Sequence, residues 1–336
     1  MFATSTSAVV AAGRGDHLGE GKRTVVLFLG TAGGPPLRLD RSEPSTLLLV
    51  DGRPYLIDCG IGTMRRMLRA GIQSEQVKTI FFTHLHGDHD FGLADVMAND
   101  FFRQSVIGRA EPIHIYGPPQ TKELVDAAFH FITVGFRPFE NLLPSPSGSY
   151  QSPFVTHEFD RDGVIFQDDK IRVTAAENSH YALMPLQRRG QFKSYSYRVE
   201  TPHGVIVFTG DTGPSKAVER LANGADVLVA EANNRDPQDA EKVTAAMAAR
   251  SHWSPEQTKA FRAHFEVEHL DTHEIGRLAA KAQVKAVLLY HYVPVNKADQ
   301  AAYVAGVRTS FSGPVFAPND LDRYCLGVQG LSRCPN

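Results

Sequence analysis

The residues best equipped for chemistry lie in one short stretch, Thr83-His84-Leu85-His86-Gly87-Asp88-His89. It follows an apolar, β-prone run, Lys78-Thr79-Ile80-Phe81-Phe82, and a helix is expected from about Asp90. In extended chain, residues two apart point the same way, so His84 and His86 can face one point. Gly87 permits a sharp turn, and Asp88 and His89 then arrive from the start of the helix. Imidazole nitrogen and carboxylate oxygen are the donors that borderline ions such as zinc prefer. The stretch predicts a metal site.

If so, further ligands should stand at the ends of later strands, where loops of an α/β fold gather a site. Three residues fit. His180 follows Val173-Thr174-Ala175-Ala176-Glu177-Asn178-Ser179, Asp211 follows Val207-Phe208-Thr209-Gly210, and His291 follows Val287-Leu288-Leu289-Tyr290. Each alone could be a satisfied polar residue at a strand end, but together they supply two imidazoles and a carboxylate. Asp58, in Leu56-Ile57-Asp58-Cys59-Gly60, could orient a ligand histidine or the ligand loop. The remaining histidines, His264 among them, match no ligand pattern.

The elements that must position these groups alternate along the chain. A strand over Thr24–Leu29 runs into Gly30-Thr31-Ala32-Gly33-Gly34-Pro35-Pro36, a turn that lets backbone approach something closely. It lacks the Gly-Lys-Ser/Thr of a phosphate loop. Strands at Ser45–Val50 and Tyr55–Asp58 flank the hairpin signal Asp51-Gly52-Arg53-Pro54. Helices are expected over Gly62–Ala70, Asp90–Arg103 and Gln120–Val134, the last with Leu124, Ala127, Ala128 and Phe131 as its apolar face. Gly135–Pro153, rich in proline and serine, reads as a long surface loop. Strands dominate from Phe154 to Thr209, and helix and strand alternate from Lys216 to Leu326. Strand-rich then helix-containing stretches occur twice, which suggests two βα halves packed together.

At 336 residues, 42% apolar and 21% charged, the composition is that of an ordinary globular protein. A formal charge of -2 gives no global positive field to recruit nucleic acid. No run approaches the roughly 20 apolar residues of a membrane span. Residues 1–22 read as a flexible leader or the remnant of a trimmed secretion signal, and 23–336 as one domain; the compartment stays open between cytoplasm and periplasm. Cys59 is expected as a small core residue, while Cys325 and Cys334 could bridge in an oxidising compartment or stay free.

Thr83-His84-Leu85-His86-Gly87-Asp88-His89, with His180, Gly210-Asp211-Thr212 and His291, resembles the metallo-β-lactamase superfamily. Phe28-Leu29-Gly30-Thr31 and Leu56-Ile57-Asp58-Cys59-Gly60 are also similar to it. Asp88 and the Gly210-Asp211-Thr212 motif resemble its dinuclear phosphodiesterase-type branch, and the stretch from Ala222 onward resembles ribonuclease Z and the zinc-dependent arylsulfatases. The resemblance implies a four-layer αβ/βα sandwich with two metals between the sheets: zinc first, with manganese or iron as alternatives. His84, His86 and His180 would hold one ion, Asp88, His89 and His291 the other, and Asp211 would bridge them. The catalytic residues it implies are Asp88, which is also a ligand, His269 and Glu231. His269 would serve the leaving oxygen or bind a non-bridging one, with Glu231 setting its tautomer; His273 is a competitor one helical turn further on. Two ions could polarise the substrate and generate hydroxide near neutral pH.

The expected reaction is hydrolysis of a phosphodiester or sulfate ester of small or moderate size. The alternatives are tRNA 3′ cleavage as in ribonuclease Z, or lactone and β-lactam hydrolysis. A non-catalytic binding module fits least, because no ligand is missing. The tRNA reading ranks lower on sequence. The basic projecting arm and Pro-x-Lys-x-Gly element of ribonuclease Z are not found, and Gln187–Lys193, the one compact basic cluster near the site in sequence, reads as a solvated hairpin tip. A redox role like that of flavo-di-iron relatives is disfavoured by His86, where that branch carries Glu. Phe101, Phe102, Phe136 and Phe139 are candidates for a pocket wall, for the core or for a dimer contact, and dimers are frequent in the resembled branch.

Overall fold

A computed structural model describes residues 23–34, 36–107, 111–139, 152–236, 238–293 and 300–335, with backbone alone over 104–107. In chain order the first half comprises β1 (Thr24–Gly30), β2 (Ser45–Val50), β3 (Arg53–Ile57), α1 (Thr63–Arg69), β4 (Thr79–Phe81), α2 (Gly87–Asp90), α3 (Leu93–Ile107), β5 (Ile113–Gly117), α4 (Thr121–Phe136) and β6 (Phe154–Glu158). The second half opens with β7 (Gly163–Gln167), β8 (Arg172–Glu177), β9 (Tyr195–Thr201), β10 (Gly204–Phe208), α5 (Lys216–Ala222) and β11 (Val227–Glu231). It closes with α6 (Asp239–Ser251), α7 (Pro255–Val267), α8 (Thr272–Lys281), β12 (Ala286–Tyr290), α9 (Gln300–Arg308), β13 (Val315–Phe316), β14 (Arg323–Gly327) and β15 (Gly330–Arg333).

The strands form two sheets, ordered β15-β14-β1-β2-β3-β4-β5-β6 and β13-β12-β11-β10-β9-β8-β7. Both faces of the central strands are covered, which is why they read as unbroken apolar runs rather than alternating ones. In β1, Val25, Leu27 and Leu29 pack outward with α1, α3 and α4, whereas Val26 and Phe28 face the other sheet. In β11 and β12, Val227, Val229, Leu288 and Tyr290 face inward, and Leu228, Ala230, Val287 and Leu289 pack under α5, α8 and α9. The result is the expected four-layer αβ/βα sandwich.

Local chemistry sets the edges of these layers. β2 and β3 pair with Val50 opposite Arg53, leaving Asp51 and Gly52 as a two-residue turn with φ of 49° and 83°. Two positive values match the hairpin turn whose twist suits the flanking strands. The helix expected from Asp90 is two pieces, α2 and α3, separated at Phe91 and Gly92. A Cβ at Gly92 would lie 2.1 Å from the Gly60 carbonyl oxygen, so the break brings the ligand segment against the Cys59–Gly60 turn.

One expectation needs correction, and two open ones are resolved. The buried stripe of α4 is Thr121, Val125 and Ile132, with Leu124, Ala128 and Phe129 beside it; Ala127 and Phe131 are exposed. This helix carries apolar residues around most of its circumference, so the pattern could not fix its rotation. Of the roles left open for Phe101, the structure gives it the core, against Phe129 and Phe136. Most of the loop expected over 135–153, and all of the leader at 1–22, lies outside the described residues. Cys325 and Cys334 are joined, fastening the β14–β15 hairpin at the sheet edge, and Cys59 is buried and free.

Phe81 carries much of the contact between sheets. Its ring, buried in β4, meets Tyr116 of its own sheet and Phe166 and Tyr197 of the other. Phe81→Ala should lower unfolding stability by about 3–5 kcal/mol, read by urea denaturation. A loss below about 1 kcal/mol would mean that the sheets are not held together at this ring.

Candidate metal centre

The candidate ligands converge at the C-terminal ends of strands, where open α/β sheets place their sites. Thr83–His89 follows β4, His180 follows β8, Asp211 follows β10 and His291 follows β12; Glu231 ends β11. The two sheets are tied at this point. Tyr195 N donates to the Thr83 carbonyl at 2.9 Å, and the Tyr197 hydroxyl donates to the Phe82 carbonyl.

Two triads share one carboxylate. His84, His86 and His180 form one set, and Asp88, His89 and His291 another, each with ligand atoms within 4.8 Å of one another. Asp211 lies between them: its carboxylate oxygens are 3.9 Å from His84 Nε2, 3.4 Å from His89 Nε2 and 3.1 Å from His291 Nε2. Asp88 Oδ2 is 3.3 Å from His291 Nε2. In the first triad, His180 Nε2 and His86 Nδ1 are 3.0 Å apart.

Partners behind the rings decide which nitrogen faces inward. A carboxylate or carbonyl only accepts, so a ring nitrogen bonded to one must carry hydrogen. His89 Nδ1 donates to Asp58 at 2.9 Å, and His180 Nδ1 to the Glu268 carbonyl at 3.0 Å. The Thr83 hydroxyl donates to Asp58, leaving its lone pair 3.0 Å from His84 Nδ1. In the neutral form of all three rings Nε2 is left with the lone pair. Asp58 also accepts from Thr83 N at 2.8 Å, so one buried carboxylate orients both the ligand loop and a ligand ring.

The donor set fits a pair of ions on its own terms. Nε2 of His84, His89 and His291 and Oδ1 of Asp211 are buried and have no hydrogen-bond partner among the described residues. Such atoms are costly to bury unless something binds them. Burial pushes the His84 and His180 imidazoles well below the usual histidine range, and His86 down to about 4. That triad is neutral and ready to ligate. Burial also opposes charge on His89 and His291, but Asp211 and Asp88 outweigh it and hold His291 up to about 10. An ion binding there displaces protons.

The glycine turn after β1 forms the wall expected of it. Gly34 N donates to Asp88 Oδ2 at 2.8 Å. A Cβ at Gly33 would lie 2.5 Å from His291 Nδ1, and one at Gly34 2.3 Å from Asp88 Cβ. His291 has φ 62° and Asp58 φ 56°, left-handed values rare outside glycine and concentrated at functional sites.

His269 and Glu231 also meet at the centre. His269 Nδ1 donates to Glu231 Oε2 at 3.1 Å, while Thr212 N and Leu270 N fix Oε1 at 3.0 Å each. His273 stands elsewhere, half-buried and bonded to Thr309. Sequence reasoning missed His264, whose Nε2 lies 3.2 Å from His269 Nε2 and whose Nδ1 donates to Glu268 at 2.7 Å. The signal was the helical i, i+4 spacing of His264 and Glu268 just before His269.

A family profile described as "Beta-lactamase superfamily domain" matches residues 53–292. The chain belongs to the β-lactamase superfamily. It is a metal-dependent hydrolase of the metallo-β-lactamase fold. A protein of Mycobacterium marinum named ribonuclease Z is 29% identical over 302 residues, 89% of this chain and 97% of that one. Among solved structures, a metallo-β-lactamase fold protein of Bacillus subtilis, YhfI, superposes with a TM-score of 0.63 at 18% identity, over 90% of this chain and 99% of that one. The short form of human tRNase Z gives 0.60 at 20% identity, over 90% and 100%. Among the described residues, no helix is long and apolar enough to cross a membrane.

Asp58→Asn should weaken retention of the ion beside His89 by about 10–100-fold, measured by competition with a chromophoric chelator. Gly34→Ala should act in the same direction by displacing Asp88. Parental affinity in both variants would mean that these contacts do not shape the centre.

Proposed function

We propose that this protein is a two-ion phosphodiesterase of 3′-processing type, acting on RNA, with one hydrolase domain over 23–336. The observation that carries the reading is the pair of buried triads sharing Asp211, set beside the His269–Glu231 pair. His84, His86 and His180 would hold one ion, Asp88, His89 and His291 the other, and Asp211 both. Zinc suits the nitrogen-rich first triad, and manganese or iron could serve the second. When bound, the ions would polarise the phosphoryl oxygens and make water nucleophilic near neutral pH.

The chain's own residues supply the rest. Glu231, fixed by two backbone donors, takes the Nδ1 hydrogen of His269 and leaves Nε2 as the working atom. Burial opposes charge on His269, but Glu231 and Asp211 raise its pKa above the usual histidine value. A charged ring can hand its Nε2 proton to the leaving oxygen.

Sequence alone ranks tRNA below small esters; the ribonuclease Z name of relatives spanning nearly the whole chain reverses that order. Phe91, exposed beside the ligand loop, offers a face on which a base could stack. The basic cluster at 187–193 adds little, since Arg189 and Lys193 bond to Met184, Glu177 and Asp160 of their own surroundings. One observation favours a second reading, a small phosphodiester handled in an oxidising compartment: the Cys325–Cys334 bridge. Nothing favours a sulfate ester over a phosphodiester.

Metal-loaded protein should cleave a tRNA extended at its 3′ end and, more slowly, bis(p-nitrophenyl) phosphate. Hydrolysis of the small ester alone selects the second reading, and hydrolysis of p-nitrophenyl sulfate alone sinks both. Asp211→Ala should lose bound metal and activity together. His269→Ala should keep its metal while turnover falls by about 10²–10⁴; an unchanged rate would remove His269 from the mechanism.

A further inference from the structure

α6 and α7 form a helical hairpin beside the centre. Its turn is set by Trp253 and by Ser254, which caps α7 with Gln257 ahead of Pro255. Phe261 and Phe265 of α7 pack with Ala240, Val243 and Val293, the last two residues beyond His291. Asn234 Nδ2 holds the Phe265 carbonyl at 2.9 Å. The last turn of α7 is therefore anchored on both sides, and it carries His264.

Glu268, buried, acts as a hub there. Its carboxylate takes the His264 Nδ1 hydrogen at 2.7 Å and Leu183 N at 2.8 Å, and its carbonyl takes His180 Nδ1 at 3.0 Å. His264 and His269 are consequently held alike, each with Nδ1 turned to a carboxylate and Nε2 pointing at the other's Nε2, 3.2 Å away. His269 is buried, whereas the His264 side chain is 30% exposed. His264 Nε2 thus sits beside His269 Nε2 on the more exposed of the two rings.

We propose that His264 is a substrate-contacting residue that forms, with His269, a two-imidazole clamp on an oxygen of the scissile phosphate ester, and that Glu268 is its positioning residue. This rests on the phosphodiesterase reading. With Nδ1 given to a carboxylate, each ring reaches an oxygen lying beside both nitrogens through an Nε2–H, and losing one such bond to an anion costs about tenfold or more in affinity. α7 therefore belongs to the substrate side of the site and not only to its scaffold.

The test uses inorganic phosphate as probe, with its affinity for the metal-loaded full chain measured by calorimetry. His264→Ala should weaken phosphate binding about tenfold and raise KM for bis(p-nitrophenyl) phosphate, with ion content and Tm unchanged. His264→Gln, which keeps an amide donor at similar reach, should recover part of the loss, and Glu268→Gln should show a smaller shift of the same sign. Phosphate affinity in His264→Ala within twofold of the parent overturns the inference. Loss of an ion from that variant also overturns it, by making His264 a support for His180. A parent that binds phosphate yet hydrolyses no phosphodiester defeats the proposed function, and the phosphate comparison still decides the role of His264.

Discussion

Everything at this centre depends on burying Asp58, Asp88, Asp211 and Glu231 close together, none of them more than slightly exposed. Isolated carboxylates cannot be taken out of water at such density. Here each is compensated: Asp58 by Thr83 and His89, Asp88 by Gly34 N, Glu231 by Thr212 N, Leu270 N and His269, and Asp211 by the imidazoles around it. The compensation of Asp211 is incomplete, because among the described residues its Oδ1 and the ring nitrogens of His291 have no hydrogen-bond partner. The fold has accepted that cost at one place, and charge from bound cations is what would offset it.

The same constraint explains the layers behind the site. Ligands at strand ends must be rigid to about half an ångström, so the strands that carry them are buried on both faces. Support extends beyond the strands. Asp320 accepts from Thr31 N and Ser42 N and pairs with Arg66, which fixes the start of the glycine turn that faces Asp88 and His291. A residue near the C-terminus thus sets backbone at the opposite end of the chain.

Much of this was legible in the sequence, and the reasons differ by residue. The ligand loop could be read because extended spacing, a glycine and a helix start dictate where four side chains point. His180, Asp211 and His291 were legible because strand ends are where such residues collect. Strand positions also read well, since double burial leaves unbroken Val, Leu and Ile runs. The rotation of α4 did not, because apolar residues surround it and only packing chose Ile132 over Phe131. His264 stayed hidden because a histidine on a polar helix looks like a solvated one until Glu268 and His269 are placed beside it. Whether Cys325 and Cys334 meet depends on the β14–β15 register, which local pattern does not specify.

The link between Ala32 and Tyr292 has a further meaning for the history of the chain. It joins the first strand's exit to the last ligand segment, and the centre between them draws on nearly every intervening element. Such contacts join segments far apart in sequence, and topologies built on them fold slowly because distant segments must find one another first. A nascent chain still lacking β12 has no His291 and cannot close the second triad. Ion binding at this centre would therefore be linked to completion: cations held there would stabilise only molecules in which both halves have met, by an amount set by their free concentration. Metal occupancy in a cell would report which molecules have finished folding as well as which can react.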